Sequence, residues 1–223
     1  MTGDQPQHGP DEPDLDQISP IAQDYLKVIW SATEWGEPPI TSTALAARFK
    51  SSVANVTDTV KRLTALGLVT HQPYKPVYLT AAGTRYAVAM VRRHRLLETF
   101  LVDHLGYGWH EVHDEAERLE HAATATLIDR IDRLLGHPTS DPHGDPIPDP
   151  DGTTHKPRDT VTLAEAGNGT WTVVRVSDAD PNLLIRARDL GLTPGRTTTI
   201  DQSTALGHTL RAAIWVTPAR SGC

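Results

Sequence analysis

The chain has a single cysteine in 223 residues, Cys223, and it is the last one. No disulfide framework and no cysteine-built zinc site can therefore form within one chain. No apolar run approaches the length that crosses a bilayer, so no membrane is expected among its partners. The stretch Met1 to Asp16 holds five acidic residues and neither Lys nor Arg, the reverse of a secretory signal with its basic start and apolar middle. A cytoplasmic protein is the expectation. Enzyme motifs are missing too. His113 is followed by Asp-Glu-Ala-Glu rather than the H-E-x-x-H of a zinc protease. Neither Glu98 nor Glu117 has the His three residues on that a ferritin-like di-iron oxidase uses. With no catalytic Ser or Cys motif and no phosphate-cradling Gly loop, neither enzymatic activity nor a small-molecule substrate is expected.

What is present is unevenly distributed. The net charge is −7, but residues 1–16 alone carry −5, residues 17–85 carry +3, residues 86–136 and 137–160 carry −3 each, and residues 161–223 carry +1. The first folded segment has the largest basic excess, and a small one, so nucleic-acid binding there is permitted without being demanded.

Residues 1–17 read as a disordered acidic tail. From Ser19-Pro20 the apolar residues Ile21, Tyr25, Leu26, Ile29 and Trp30 recur at helical spacing to about Thr33, with Ser19 as N-cap and Pro20 at the first helical position. A short helix follows from Thr41, and a third from Ser52 to Leu66 with Val53, Val56, Val60 and Leu63 as its stripe. The period then changes. Leu68–His71 and Val77–Thr80 flank a Gln72–Pro76 turn and read as a hairpin. This order over residues 18–82 is that of a winged helix-turn-helix. Its third helix would enter the major groove, with Ser52, Asn55, Thr57, Thr59, Lys61 and Arg62 as contacts and Lys75 at the wing tip near a phosphate.

Residues 83–136 read as helical: one long helix to about His104, then His110–Leu135 with a break near Ala123–Thr124. Residues 137–158 hold six of the chain's prolines and read as a linker. Beyond it, Asp159–Leu163, Trp171–Val176, Thr197–Ile200, Thr209–Ala213 and Ile214–Val216 read as strands of a small β-barrel over 159–223, with a short helix near Pro181–Asp189. The fold expected is mainly α with a small β domain.

The chemistry concentrates in the middle. His113, Glu117, Glu120 and His121, in H-D-E-A-E-R-L-E-H, fall within an arc of roughly 100° on a helix, and His94 and Glu98 stand one turn apart upstream. A solvated acidic helix accounts for any one of these pairs. The whole set suits a divalent transition metal held by nitrogen and oxygen.

The order winged helix, helical ligand set, Pro-rich stretch and β domain resembles the diphtheria-toxin-repressor family of metal-dependent regulators, over residues 18–223. Its most specific stretches are Ala22-Gln-Asp-Tyr-Leu-Lys-Val-Ile-Trp, Arg92-Arg-His-Arg-Leu-Leu-Glu, Val112-His-Asp-Glu-Ala-Glu-Arg-Leu-Glu-His and Asp141-Pro-His-Gly-Asp-Pro-Ile-Pro. The resemblance implies an SH3-like last domain. It also implies one metal site from Asp24, Glu117, Glu120 and His121 and an ancillary site from His94, Glu98 and His113, with Asp178 or Asp180 adding oxygen. The iron-responsive branch carries Met and Cys where this chain has Asp24 and Glu117; the manganese branch carries carboxylates, as here. Hard oxygen donors favour Mn²⁺ relative to softer ions. Lys27 stands where some short manganese regulators have a Glu, which argues against their closely spaced two-metal arrangement.

The function implied is a Mn²⁺-loaded repressor binding operator DNA as a homodimer. The alternatives are an Fe²⁺-responsive repressor of the same family, or a metal-independent winged-helix regulator. A metal joining Asp24 to Glu117, Glu120 and His121 would orient the recognition helix, and Leu119, Leu127, Ile128, Ile131, Leu134 and Leu135 offer apolar surface for a helical dimer interface.

Overall fold

The computed structural model describes residues 14–200 and 206–219. Most of the acidic tail and Cys223 lie outside them. The chain divides into two compact units, Met1–Arg93 with Pro148–Thr153, and His94–Ile147 with Thr154–Cys223.

The first unit opens on a 3₁₀ turn, Leu15–Gln17, which falls inside the stretch expected to be unstructured. Leu15 is buried, and its carbonyl accepts a 2.8 Å bond from Gln23 Nε2. Three capped helices follow: α1 (Pro20–Glu34), α2 (Ser42–Arg48) and α3 (Val53–Ala65). In each the residue before the first turn, Ser19, Thr41 or Ser52, accepts a backbone N–H with its hydroxyl oxygen, satisfying a donor that the helix leaves unpaired. The apolar stripes of the three helices close on one core, with Leu26, Leu45, Val56, Val60 and Leu63 almost fully buried.

The antiparallel strands β1 (Val69–His71) and β2 (Val77–Leu79) form the wing, in the register Val69↔Leu79 to His71↔Val77. Val69 and Val77 anchor it in that core. Thr80 then caps the long helix α4 (Ala81–Leu105) by accepting from Gly83 N at 3.0 Å. Gly83 has no room for a side chain, since a Cβ there would lie 1.9 Å from the Leu68 carbonyl oxygen.

The second unit begins within α4. Its C-terminal part packs with α5 (Val112–Glu120) and α6 (Ala125–Leu134) around Leu96, Leu97, Leu101, Val112, Ala116, Ile128 and Ile131. Ile147, from the Pro-rich stretch, joins this core, and residues 141–147 are buried apart from the half-buried Pro142. That part of the stretch is packed structure rather than an open tether.

A four-stranded antiparallel sheet completes the unit: β3 (Val161–Thr162), β4 (Gly169–Val176), β5 (Thr197–Ile200) and β6 (Ile214–Pro218), in the order β3-β6-β4-β5. The helix α7 (Pro181–Asp189) lies between β4 and β5 in sequence. Residues 209–213, expected as a strand, form instead the short helix α8 (His208–Ala212). Within it only Leu210 is buried, so the alternation seen in the sequence has no second face to serve, and Leu, Arg and Ala are good helix formers. Among the described residues no helix is long and apolar enough to cross a membrane.

Candidate metal centre

Four segments of the second unit bring ligand-type side chains together. Helix α4 supplies His94 and Glu98 one turn apart, α5 supplies His113, the turn 141–145 supplies Asp141 and His143, and the residues after β4 supply Asp178. Donor atoms of His94, Glu98 and His113 all lie within 4.8 Å of one another, and so do those of Glu98, Asp141 and His143. Glu98, 1 % exposed, is common to both groups. One oxygen, Oε1, stands 3.0 Å from His94 Nε2 and 3.2 Å from His113 Nδ1, and the other, Oε2, is 3.7 Å from His143 Nδ1. Asp178 reaches the group with Oδ2 3.3 Å from His113 Nδ1.

Second partners orient the rings. His94 Nδ1 pairs with Glu120, a fully buried carboxylate at the end of α5, which holds a proton on Nδ1 and leaves Nε2, facing Glu98, as the nitrogen available to an ion. His143 is fully buried, and its Nε2 donates to the backbone carbonyl of Trp109. Its Nδ1 is left without a hydrogen-bond partner, aimed at Glu98. A buried imidazole nitrogen without a hydrogen-bond partner is costly, and a carbonyl or carboxylate holding the far nitrogen is the arrangement that metal-ligating histidines use. The donors are nitrogen and oxygen only, so the residues fit a borderline or hard divalent ion.

The electrostatics agree. Burial by itself would raise the Glu98 pKa, yet the facing imidazoles of His94, His113 and His143 hold it well below the usual carboxylate range. Burial would lower both His113 and His143. The carboxylates around them (Glu117, Glu98 and Asp178 for His113; Glu98, Asp141 and Asp178 for His143) instead push each up to about 10. Burial and the charge of Asp145 raise Asp141 to about 8. Protonated imidazoles thus balance the carboxylates, and they stand where an ion would bring the positive charge instead.

The turn 141–145 is held from both sides. Asp141 Oδ1 accepts from the backbone N–H of His143 and Asp145 at 2.8 and 2.9 Å. Arg95 on α4 lies 3.5 Å from Asp145 and donates to the Pro146 carbonyl at 2.6 Å. Arg175 on β4 donates to Asp145 at 2.7 Å while its guanidinium lies over the Trp215 ring, 4.4 Å from the centroid. Val176 N bonds the His143 carbonyl at 2.9 Å. Gly144 has φ +90, and a Cβ there would lie 1.9 Å from the Val174 carbonyl oxygen.

Of the residues singled out in the sequence, His94, Glu98, His113 and Asp178 meet here. Glu120 is their hydrogen-bonded neighbour through His94. Glu117 sits on the exposed side of α5, its oxygen 3.4 Å from His113 Nε2, and His121 is half-buried just after that helix. Asp24 is half-buried on α1 of the first unit. Asp180 is not brought into the group: it caps α7, accepting from Asn182 N at 2.9 Å. Asp141 and His143 join the centre although they are absent from the ligand set expected above: they stand as D-x-H-x-D in a stretch whose prolines alone suggest a linker.

In the first unit, α3 exposes Ser52, Asn55, Lys61 and Arg62. Ser52 is also its N-cap, and the hydroxyls of Thr57 and Thr59 bond back to the carbonyls of Val53 and Asn55. Asp58, on the same helix, pairs with Lys61 at 3.4 Å. Lys75 is exposed on the wing. On α5 and α6, Leu119, Leu127 and Leu134 are exposed, whereas Ile128 and Ile131 turn into the unit's own core.

A winged-helix unit and a second unit that gathers nitrogen and oxygen ligands define a class, the DNA-binding regulator that responds to a divalent metal. Comparison with known proteins gives the family. Residues 17–77 match the iron-dependent-repressor N-terminal DNA-binding domain, and residues 80–149 match that family's metal-binding and dimerisation domain. The iron-dependent repressor IdeR of Mycobacterium leprae is 33 % identical over 194 residues, covering 81 % of this chain and 84 % of its own. A solved manganese-dependent transcriptional repressor in complex with manganese is 44 % identical, with a TM-score of 0.81 over 88 % of this chain and 99 % of that one. ScaR with bound Zn²⁺ is 31 % identical, with a TM-score of 0.74 over 89 % and 99 %. The chain belongs to the iron-dependent-repressor family, that of the diphtheria toxin repressor, and is a metal-dependent transcriptional repressor, not an enzyme.

Proposed function

We propose that this repressor responds to Mn²⁺ and, when loaded, binds operator DNA as a homodimer in the cytoplasm, controlling manganese homeostasis genes. The observation that carries the choice of ion is the donor set. His94, Glu98, His113, Asp141, His143 and Asp178 offer imidazole nitrogen and carboxylate oxygen and no sulfur, which shifts preference away from soft ions and admits Mn²⁺. The manganese-dependent repressors among its structural neighbours support the same reading. Asp24, Glu117, Glu120 and His121 are proposed as a further ligand set, on the resemblance and on their hard-donor chemistry.

The ion, when bound, supplies positive charge to a cluster of acids. The chain's own residues do the rest. Glu120 and the Trp109 carbonyl hold His94 and His143 in the ligating tautomer, and burial keeps water from competing for the carboxylates. The dimer is proposed to use the exposed Leu119, Leu127 and Leu134, and α3 is proposed to read the major groove.

The test is fluorescence anisotropy of the chelator-stripped full chain on DNA from upstream of its own gene, titrated separately with Mn²⁺, anaerobic Fe²⁺ and Zn²⁺. Specific binding that appears first with Mn²⁺ is expected. Equal or better activation by Fe²⁺ would retract the manganese assignment, and binding indifferent to chelator would retract metal control.

A further inference from the structure

The wing carries a residue that its backbone does not want. Lys75 N bonds the Gln72 carbonyl at 3.0 Å, closing a four-residue turn with Pro73 and Tyr74 at its centre. Pro at the first central position followed by a positive φ at the second is the type II pattern, whose second central residue is normally Gly or Asn. Here it is Tyr74, with φ +63. A bulky side chain in the left-handed region is an outlier, and such strain tends to be retained where a site uses it.

Packing gives no reason for the side chain, because Tyr74 is 103 % exposed. Nor is the arm that presents it loose. Val69 and Val77 on the two strands are buried, and Val77 N bonds the Ile40 carbonyl at 3.0 Å. The ring therefore stands at the tip of an anchored hairpin, beside the exposed cation Lys75, in the same unit as α3.

We infer that Tyr74 is a DNA-contacting residue of the wing, its ring packing on the sugar edge of the groove and its hydroxyl donating to a phosphate while Lys75 neutralises the neighbouring one. The inference rests on the DNA-binding reading above and adds to it a contact outside α3. An amphipathic aromatic suits that position. Its flat face covers deoxyribose, its polar end meets the phosphate, and two side-chain torsions cost little to fix.

The experiment compares the wild-type full chain, Tyr74→Gly, Tyr74→Phe and Lys75→Ala, with Mn²⁺, on the duplex from upstream of the protein's own gene. Affinity is read by anisotropy across a salt series, and thermal unfolding is read alongside. Tyr74→Gly removes the strain and the contact together, so its melting temperature should be unchanged or raised while its affinity falls roughly tenfold, the size of loss usual for an interfacial Tyr anchor. Its salt slope should match the wild type, because no charge is lost. Lys75→Ala should instead flatten the slope by about one. Tyr74→Phe should retain most of the affinity. Wild-type affinity in Tyr74→Gly, or a marked fall in its melting temperature, would overturn the inference. A wild-type protein that ignores this duplex with Mn²⁺ present would overturn the reading beneath it instead.

Discussion

Replacing Gly144 by Ala should separate the ligand turn from the β domain. Two costs add. The left-handed φ of +90 penalises any Cβ, by about 1–2 kcal/mol for an L residue. The new Cβ would also lie 1.9 Å from the Val174 carbonyl oxygen and 2.9 Å from Arg175 Cα. Both are backbone atoms, which cannot rotate away, so the turn must lift from β4. Lifting breaks the bond from Val176 N to the His143 carbonyl, worth about 1 kcal/mol, and lengthens the contact between Arg175 and Asp145. About 3 kcal/mol is expected in all, which for a protein of this size lowers the melting temperature by roughly 6–12 °C. Because His143 moves with the turn, the rise in melting temperature on adding Mn²⁺ should shrink as well. Gly136→Ala is the control. Gly136 has φ +72 but nothing within 4 Å of the Cβ position, so it isolates the dihedral cost. Differential scanning calorimetry with and without Mn²⁺ decides the matter, and a Gly144→Ala protein no less stable than Gly136→Ala, with the full metal-induced shift, would refute the packing argument.

Glu98→Gln should reduce the Mn²⁺ bound per chain, measured by equilibrium dialysis with elemental analysis, because the carboxylate shared by both ligand groups loses its charge; undiminished stoichiometry would count against the centre. Metal binding should release protons. Since His113 and His143 are held protonated to about pH 10 in the ion-free pocket, above the ordinary value near 6.5, their pairing with the carboxylates stabilises the ion-free fold fully below about pH 6.5. That contribution is lost as pH rises toward 10. Mn²⁺ affinity should therefore climb with pH through the same window, and calorimetry in buffers of different ionisation enthalpy should register the protons. Thr124→Ala, which removes the cap on α6, should cost about 1 kcal/mol, seen as a shift in urea midpoint with unchanged slope. Leu127→Asp with Leu134→Asp should give a folded monomer in sedimentation that needs much more Mn²⁺-loaded protein to occupy operator DNA.

Local chemistry made most of the fold legible. Ser19 and Pro20, Thr41, and Ser52 with Gly67 bracket the first three helices because capping and left-handed closure are decided by single residues. The change of period after Gly67 marks the wing for the same reason. What escaped was decided by distant partners. The run 209–213 reads as a strand, yet its buried residues, Leu210 and Ala213, stand three apart, a helical spacing. The stretch 141–147 reads as a linker by its prolines, while its burial depends on Arg95 and Arg175, residues 46 and 34 positions from Asp141 in the sequence. In the metal centre His94, Glu98 and His113 are legible because they lie on helices whose period orders them, and Asp178 comes only through the family resemblance. Asp141 and His143 sit in a turn with no period to read.

The geometry also ties Glu120 to the centre. Its Oε2 pairs with His94 Nδ1, while its Oε1 lies 3.8 Å from His121 Nε2. Glu120 and His121 belong to the ligand set proposed with Asp24, and His94 belongs to the other. One imidazole therefore spans the two sets. Engaging Nε2 of His94 requires its proton on Nδ1, that proton holds Glu120 Oε2, and the carboxylate is left with Oε1 turned toward His121. Neutralising Glu98 loosens the first step of this chain. Glu98→Gln is accordingly expected to weaken the ion that remains as well as to remove one, and a remaining site of undiminished affinity would mean that the His94–Glu120 contact is structural and carries no coupling.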